Sequence, residues 1–349
     1  MNQLAIPGLT PALLKTYLQF QVKNTFPTLV VAPPGVGKSE IIESVGVDVK
    51  QRLILTHPVV SEPTDYKGLP FASKDVNGLD VAKFLPFGDL QELITTQKPI
   101  IFFIDDFGQA PASVQAALMQ LILAGRINGH EINKKLVTFI AATNGRADKA
   151  GVSGLLEPVK SRFSIVELEV SVEDWVTWAH ANNMPVELIG FVRHRPELLH
   201  KFEPTKDISN SPCPRNIAFI GMQQSAGLPK ELELNAFKGR CGEAFAMEYK
   251  GFLDLYRAMP NLDQIVLSPK TAKVSNEPCI QYALAGALAR RVNEQNIDNV
   301  ITYLDRLPGE IGVVFMKDAA EINSKKPEDQ NVTFTRAWSK YSSEKGNLI

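Results

Sequence analysis

At 349 residues the chain is long for one compact domain, and its length predicts two or three. Its 37 lysines and arginines face 38 acidic residues, so the net charge of −1 excludes a global attraction to nucleic acid or an anionic membrane and leaves only local basic patches. Cys213, Cys241 and Cys279 lie far apart, are odd in number and show no C-x-x-C spacing, so reduced thiols in a cytosolic protein are expected.

The opening "MNQLAIPGLTPALLKTYLQF" lacks the basic and apolar regions of a secretion signal, and no run of eighteen apolar residues follows anywhere. A soluble, cytoplasmic protein without membrane contact is expected. The first half then alternates short apolar runs with amphipathic segments, which predicts an α/β fold with a parallel sheet flanked by helices. Strands are predicted at 28–31, 53–56, 100–104, 136–141 and 164–168. "PIIFFI" and "LVTFIAA" are nearly all apolar, as strands buried on both faces should be.

Between the first strand and a helical pattern stands "LVVAPPGVGKSEII". The phosphate-loop template is G-x-x-x-x-G-K-[ST], and positions 32–39 read A-P-P-G-V-G-K-S, compatible at seven of eight places with Ala32 replacing the first glycine. Gly35 and Gly37 allow a turn that exposes consecutive backbone N–H groups, so the segment Pro34, Gly35, Val36, Gly37, Lys38, Ser39 and Glu40 is a candidate nucleotide cradle. In this template Lys38 reaches the β- and γ-oxygens of ATP and the Ser39 hydroxyl ligates Mg²⁺.

The Gly-, Pro- and Asp-rich stretch from Ser61 to Leu90 reads as an inserted loop or hairpin. "IIFFIDDFGQAP" follows as an apolar strand ending in Asp105 and Asp106. Asp105 is the candidate to hold the metal through water, and Asp106 to orient or deprotonate the attacking water. In "VTFIAATNGR" a further strand ends in Thr143 and Asn144, whose amide can stand beside that water. After about Val170 the pattern becomes helical, in "VEDWVTWAHANN", "PVELIGFVRHRPELLHKF" and "PRNIAFIGMQQSA". Ile280, Leu284, Ala287, Leu288 and Val292 then recur at helical spacing as a core-facing stripe, and Phe334, Trp338 and Tyr341 share the spacing of one short helix. His194 and His200, six apart on an expected helix, do not share a face, and with Cys213 they make a poor zinc set.

"APPGVGKSE", "FFIDDFGQAPASVQAALMQLILAGRI", "FIAATN" and "GLLEPVKSRF", in this order, resemble an AAA+ ATPase of the MoxR family. "PTDYKGLP" and "APASVQAAL" are similar to patterns of that branch, and the resemblance covers roughly residues 25–225. It implies a P-loop AAA+ core at 1–170, a helical lid at 171–228 and an extra C-terminal helical region at 229–349 whose role it leaves open. Lys38 and Ser39 then fall in Walker A, Asp105 and Asp106 in Walker B, and Asn144 at the first sensor. Arg162 matches an arginine finger that reaches a neighbouring subunit's γ-phosphate, Arg215 matches the second sensor on the lid, and Arg146 is a further interfacial candidate. Trp175 and Trp178 read as lid core, and Arg290 with Arg291 do not make a nucleic-acid patch.

The resemblance further implies ATP and Mg²⁺ as cofactors, a hexameric ring with nucleotide between subunits, and a protein client. Regions 61–90 and 123–133 are the parts expected to touch that client, with a separate von Willebrand factor A domain protein as a candidate partner. The family's second Walker B residue is glutamate, and Asp106 is one methylene shorter, so slow hydrolysis is expected. Two other classes share the core: a clamp-loader or helicase-loader acting on DNA, disfavoured by the near-neutral composition, and a nucleotide-switched assembly factor with little hydrolysis.

Overall fold

The computed structural model describes residues 8–145, 154–202, 208–257, 261–324, 327 and 331–345. The chain divides into two compact units, Met1–Ser171 and Val172–Ile349.

The strands of the first unit are β1 (Gly8–Leu9), β2 (Thr28–Val31), β3 (Arg52–Thr56), β4 (Leu69–Lys74), β5 (Asp80–Leu85), β6 (Ile100–Ile104), β7 (Arg126–Ile127), β8 (His130–Glu131), β9 (Val137–Thr143) and β10 (Ser164–Leu168). Six of them form one sheet in the order β1-β10-β2-β9-β6-β3, and every neighbouring pair is parallel. The five strands expected from the sequence are all present, displaced by at most two residues at their ends. The short edge strand β1 carries no apolar run and gave no sequence signal.

Helices α1 (Pro11–Lys23), α2 (Lys38–Asp48), α3 (Pro63–Lys67), α4 (Gly88–Thr95), α5 (Ala112–Ala124) and α6 (Glu157–Lys160) complete this unit. Alternate residues of the central strands enter two separate cores. Leu29, Phe102, Ile104, Phe139 and Ala141 pack with Leu90 and Leu93 of α4 and Val114, Leu118 and Leu121 of α5. Val30, Ile101, Phe103, Ile140 and Ala142 pack with Leu14 and Leu18 of α1 and Ile42 and Val45 of α2. Helices on both faces leave these strands nearly all apolar; Thr138 of β9 is buried with its hydroxyl donating to the Val22 carbonyl at 3.4 Å.

The insertion between β3 and α4 is α3 followed by the antiparallel hairpin β4–β5, and the second hairpin, β7–β8, lies against it. Asn128 Nδ2 donates to the Lys67 carbonyl at 3.0 Å, and a His130 ring nitrogen lies 2.6 Å from the Phe84 carbonyl. The two inserted regions therefore form one platform. Leu69, Phe71, Leu79 and Leu85 on it are exposed.

The second unit is helical: α7 (Val172–Ala181), α8 (Val186–His194), α9 (Pro214–Ser225), α10 (Glu233–Arg257), α11 (Leu262–Leu267), α12 (Pro278–Arg291), α13 (Ile297–Leu304), α14 (Gly309–Asn323) and α15 (Arg336–Lys345). Helix α12 packs against α8 and α14. The expected stripe on α12 is buried, but so are Cys279, Gln281, Ala283, Ala285 and Ala289, so a helix enclosed on nearly all sides replaces a one-sided one. Small residues permit that enclosure: a Cβ added at Gly190 of α8 would stand 2.5 Å from the Ala283 Cα.

Two smaller expectations need correction. Trp175 is core at 7% exposure, whereas Trp178 is 38% exposed at its edge. Tyr341 is buried on α15, but Phe334 lies in a 3₁₀ turn before that helix and is exposed, because the helix begins only at Arg336. Arg290 donates to the Met184 carbonyl at 2.7 Å, and Arg291 pairs with Asp263 at 2.6 Å on the surface of the helical unit. Among the described residues no helix is long and apolar enough to cross a membrane.

Candidate nucleotide site

The parallel register sets the site. Val31 of β2 is level with Thr143 of β9, and Ile104 of β6 is level with Ala141 of β9, so the carboxyl ends of three adjacent strands open at one place. Ligands of open α/β sheets bind at such ends. The glycine loop, the two aspartates and Asn144 are the residues that follow these strands directly.

Past β2 the chain turns through Gly35 at φ 78° and Gly37 at φ 100°, a left-handed backbone that side chains with a Cβ resist. Ala32 has no such φ and is 1% exposed, so the alanine standing at the first glycine position of the template fits without strain. Gly37 caps α2 without any side-chain hydrogen bond, leaving the first N–H groups of the helix without an intrahelical acceptor. They form the anion-facing end of the helix dipole, where exposed Glu40 adds a favourable first-turn charge for the bare helix. Pro34 lies partly exposed in the loop, while the Val36 side chain anchors it in the core beneath.

Lys38 is 7% exposed, and its Nζ donates to the carbonyls of Ala32 at 2.9 Å and Pro33 at 3.0 Å and to Asn144 Oδ1 at 2.7 Å. The Ser39 hydroxyl donates to Asp105 Oδ2 at 2.8 Å, and the Asp106 backbone N–H donates to Asp105 Oδ1 at 2.9 Å. A hydroxyl and a carboxylate at this separation are the oxygen donors a hard divalent cation takes, so the pair fits Mg²⁺ beside a phosphate. Asp106 has left-handed backbone, φ 52° and ψ 34°, uncommon for a residue other than glycine and enriched at functional turns. Its Oδ1 accepts from Gln109 Nε2 at 3.4 Å and from Asn144 Nδ2 at 3.5 Å. Asn144 thus spans the ammonium and the second carboxylate, and this fixes which end of its amide faces which.

Sequence reasoning passed over several supporting groups. The Thr143 hydroxyl accepts from the Gly108 N–H at 3.2 Å and donates to the Asn144 carbonyl, holding two strand-end turns together. Gln115 of α5, 1% exposed, bonds to both sides of the chain around it. In "PTDYKGLP", Asp65 accepts from the Glu62 N–H in a capping box, and Tyr66 OH meets Thr56 Oγ1 at 2.8 Å. Burial pushes the Tyr66 hydroxyl up from its ordinary range. That pattern builds a helix start in this chain.

Arg162 follows α6, partly exposed, and donates from Nη1 to the neighbouring Ser161 hydroxyl at 2.6 Å. Its Nε is buried and has no hydrogen-bond partner among the described residues, and Arg162 contacts none of the strand-end group by hydrogen bond or ion pair. Arg215 belongs to the second unit, exposed in the first turn of α9. Arg146 lies outside the described residues. His194 ends α8 and a 3₁₀ turn (Pro196–Leu198) follows, so His194 and His200 do not share a helix. No group of three or more potential metal ligands occurs among the described residues.

No protein-family model matches the sequence, and no curated protein matches it. Solved structures similar to it include the RuvB Holliday junction branch migration motor of Thermotoga maritima, at 16% identity and a TM-score of 0.39 over 85% of each chain. A point mutant of that protein gives 16% and 0.40 over 84% of this chain and 85% of that one. NtrX from Brucella abortus in complex with ADP gives 14% and 0.33, covering 70% of this chain and 66% of that one. These likenesses are distant, and the class of the fold rests on the chain's own topology. A six-stranded parallel sheet flanked by helices, a glycine-bent phosphate loop after a central strand, and a helical region beyond it constitute a P-loop AAA+ core.

Proposed function

We propose that this chain binds ATP with Mg²⁺ and hydrolyses it as a MoxR-like AAA+ ATPase, working as a ring, most simply a hexamer, that remodels or assembles a protein client. The observation that carries the reading is the convergence of Lys38, Ser39, Asp105, Asp106 and Asn144 at the carboxyl ends of three neighbouring strands. On binding, the phosphates take the N–H groups from Gly35 to Lys38, and the Lys38 ammonium exchanges the carbonyls of its own loop for the β- and γ-oxygens. Ser39 directly and Asp105 through water would hold Mg²⁺, which would offset the phosphate charge. Asp106 orients a water for attack on the γ-phosphorus and accepts its proton as the bond to the β–γ bridging oxygen breaks and ADP leaves, while Asn144 fixes that carboxylate and that water.

Arg162 completes the site of a neighbouring subunit, where a fixed guanidinium stabilises charge that grows in the transition state. Arg215 reads the nucleotide from the lid. A cation in the first turn of a helix opposes the helix dipole, an arrangement an anionic ligand would reverse. The exposed apolar residues of the double-hairpin platform face the client, and a von Willebrand factor A domain protein is a partner of the kind MoxR relatives use. The lid is formed by 171–228.

A second reading, a nucleotide-switched assembly factor with little hydrolysis, is favoured by the short Asp106 side chain. One experiment separates the two: ATP hydrolysis per subunit as a function of protein concentration, for the natural chain, Lys38→Ala and Arg162→Ala. Specific activity that rises with concentration and collapses in both variants supports a ring ATPase. ATP binding with turnover no higher than in Lys38→Ala would support the switch.

A further inference from the structure

Gln115 is a buried amide on an amphipathic helix, where leucine or alanine would serve packing alone. Its Nε2 donates to the Ala110 carbonyl at 3.0 Å and to the Gly154 carbonyl at 3.0 Å, and its Oε1 accepts from the Leu156 N–H at 3.1 Å. Both amide protons and the oxygen are used, and a flipped amide would set oxygen against two carbonyls, so the orientation is determined. The Gly154 N–H in turn donates to the Gly108 carbonyl at 3.3 Å. Gly108 lies in the turn that starts at Asp106, and the Asp106 carboxylate accepts from Gln109.

The other end of this connection leads to Arg162. Leu156 is the N-cap of α6, a helix of one turn, and Arg162 stands two residues past its end. Leu155 and Leu156 are only partly buried against the core, so the Gln115 bonds, with the Gly154–Gly108 backbone bond, hold the segment in place. Without them the Leu156 N–H and the Gly154 carbonyl would each lose a partner.

Resting on the ATPase reading above, we infer that Gln115 is a positioning residue that ties the Asp106 turn to the Gly154–Leu156 segment and so aims Arg162 at the neighbouring subunit's nucleotide. All of its amide groups are engaged by the chain's own backbone. Its loss should therefore weaken the finger that a subunit lends and leave the subunit's own phosphate loop intact.

The test uses the full chain with Gln115→Met, unbranched and apolar, and Gln115→Glu in case the first variant does not fold. Each should bind a fluorescent ATP analogue within about twofold of the natural chain and lose about tenfold or more in kcat, the scale of a small misplacement of a catalytic group. The decisive readout is mixing. Lys38→Ala subunits hold an intact finger but no nucleotide, so mixed with Gln115→Met they should restore hydrolysis well above either variant alone, as they should with Arg162→Ala. Restoration with Arg162→Ala but not with the Gln115 variants overturns the inference and leaves the ATPase reading standing. Hydrolysis that survives Lys38→Ala removes that reading and the inference with it. Loss of nucleotide affinity in step with kcat would also overturn the inference, because Gln115 would then support its own subunit's site.

Discussion

Phe107 and Phe163 meet edge to face, ring centroids 6.2 Å apart, and each ring follows directly on a polar residue of the candidate site, Asp106 and Arg162. Both rings are buried in the core beneath α5. The pair is an apolar counterpart to the Gln115 bonds, fixing from below what the amide fixes from the side. Truncation to Phe163→Ala should cost about 3 kcal/mol, the lower end for a buried phenylalanine, and leave a void under the finger. Urea unfolding followed by fluorescence checks the cost. A change below about 1 kcal/mol would mean that the segment repacks and that the rings do not define its path.

The 2.7 Å contact between Lys38 Nζ and Asn144 Oδ1 makes charge at position 144 a sensitive probe. Asn144→Asp would place a carboxylate against the ammonium and close to Asp106. Lys38 would then be held by an ion pair that competes with phosphate, and ATP affinity should fall by about tenfold or more. Asn144→Ala removes the bridge without adding charge, so affinity should hold while turnover falls by about a hundredfold, the size of one lost polar contact to a transition state. Titration with a fluorescent nucleotide and single-turnover hydrolysis measure the two effects separately. Equal loss of affinity in both variants would show that the bridge, and not charge, determines binding.

Asp106 invites the opposite kind of change. Its left-handed backbone aims a short carboxylate at a point that Asn144 Nδ2 only just reaches, at 3.5 Å. Asp106→Glu adds a methylene in the direction of the water and should raise kcat severalfold with KM little altered, since the group acts on the reacting water and not on bound ATP. A rate that stays level or falls would show that the turn already places the aspartate well.

How much of this was legible in the residues depended on whether a feature is local. The buried strands announced themselves because helices cover both faces and leave only apolar residues between Ile100 and Ile104. The phosphate loop was legible because its glycines meet a local backbone demand at Gly35 and Gly37. Gln115 was quoted only as part of a family pattern, since its worth depends on Gly154 and Leu156, 39 and 41 residues away along the chain. Edge strand β1 gave no signal because two residues paired on one side need no apolar run. The stripe expected on α12 erred in the other direction: spacing identifies one buried face, and it does not tell that α8 and α14 cover the rest. Phe334 fell outside its expected helix because Asn331 accepts from the Thr333 N–H and hydroxyl, turning the chain before Arg336.

The helical unit carries a charge cluster that should make its stability depend on acid. Asp318 of α14 is 1% exposed; Arg193 Nη1 of α8 donates to its Oδ2 at 2.5 Å, Nη2 donates to its Oδ1, and His180 Nε2 of α7 lies 3.4 Å from Oδ2. Burial by itself raises the carboxyl's affinity for a proton, but the hydrogen bonds and charges of Arg193 and His180 outweigh it and hold the group below its ordinary value of 3.8. A carboxyl depressed in the folded state adds stability that is present in full above the ordinary value and is lost as pH falls through the folded one. Helicity of the unit should therefore hold above about pH 5 and decline below about pH 4, with Asp318 contributing to the slope. Asp318→Ala leaves the guanidinium and imidazole facing each other without their anion. Breaking a buried pair in this way should cost about 3 kcal/mol and lower the melting temperature by on the order of 10 °C at neutral pH. Circular dichroism melts of both chains from pH 3 to pH 7, spanning the range of the carboxylates, check the claim. Melting curves that stay a constant distance apart down to the lowest pH would show that the cluster is not an acid-sensitive clamp between α14 and the helices α7 and α8.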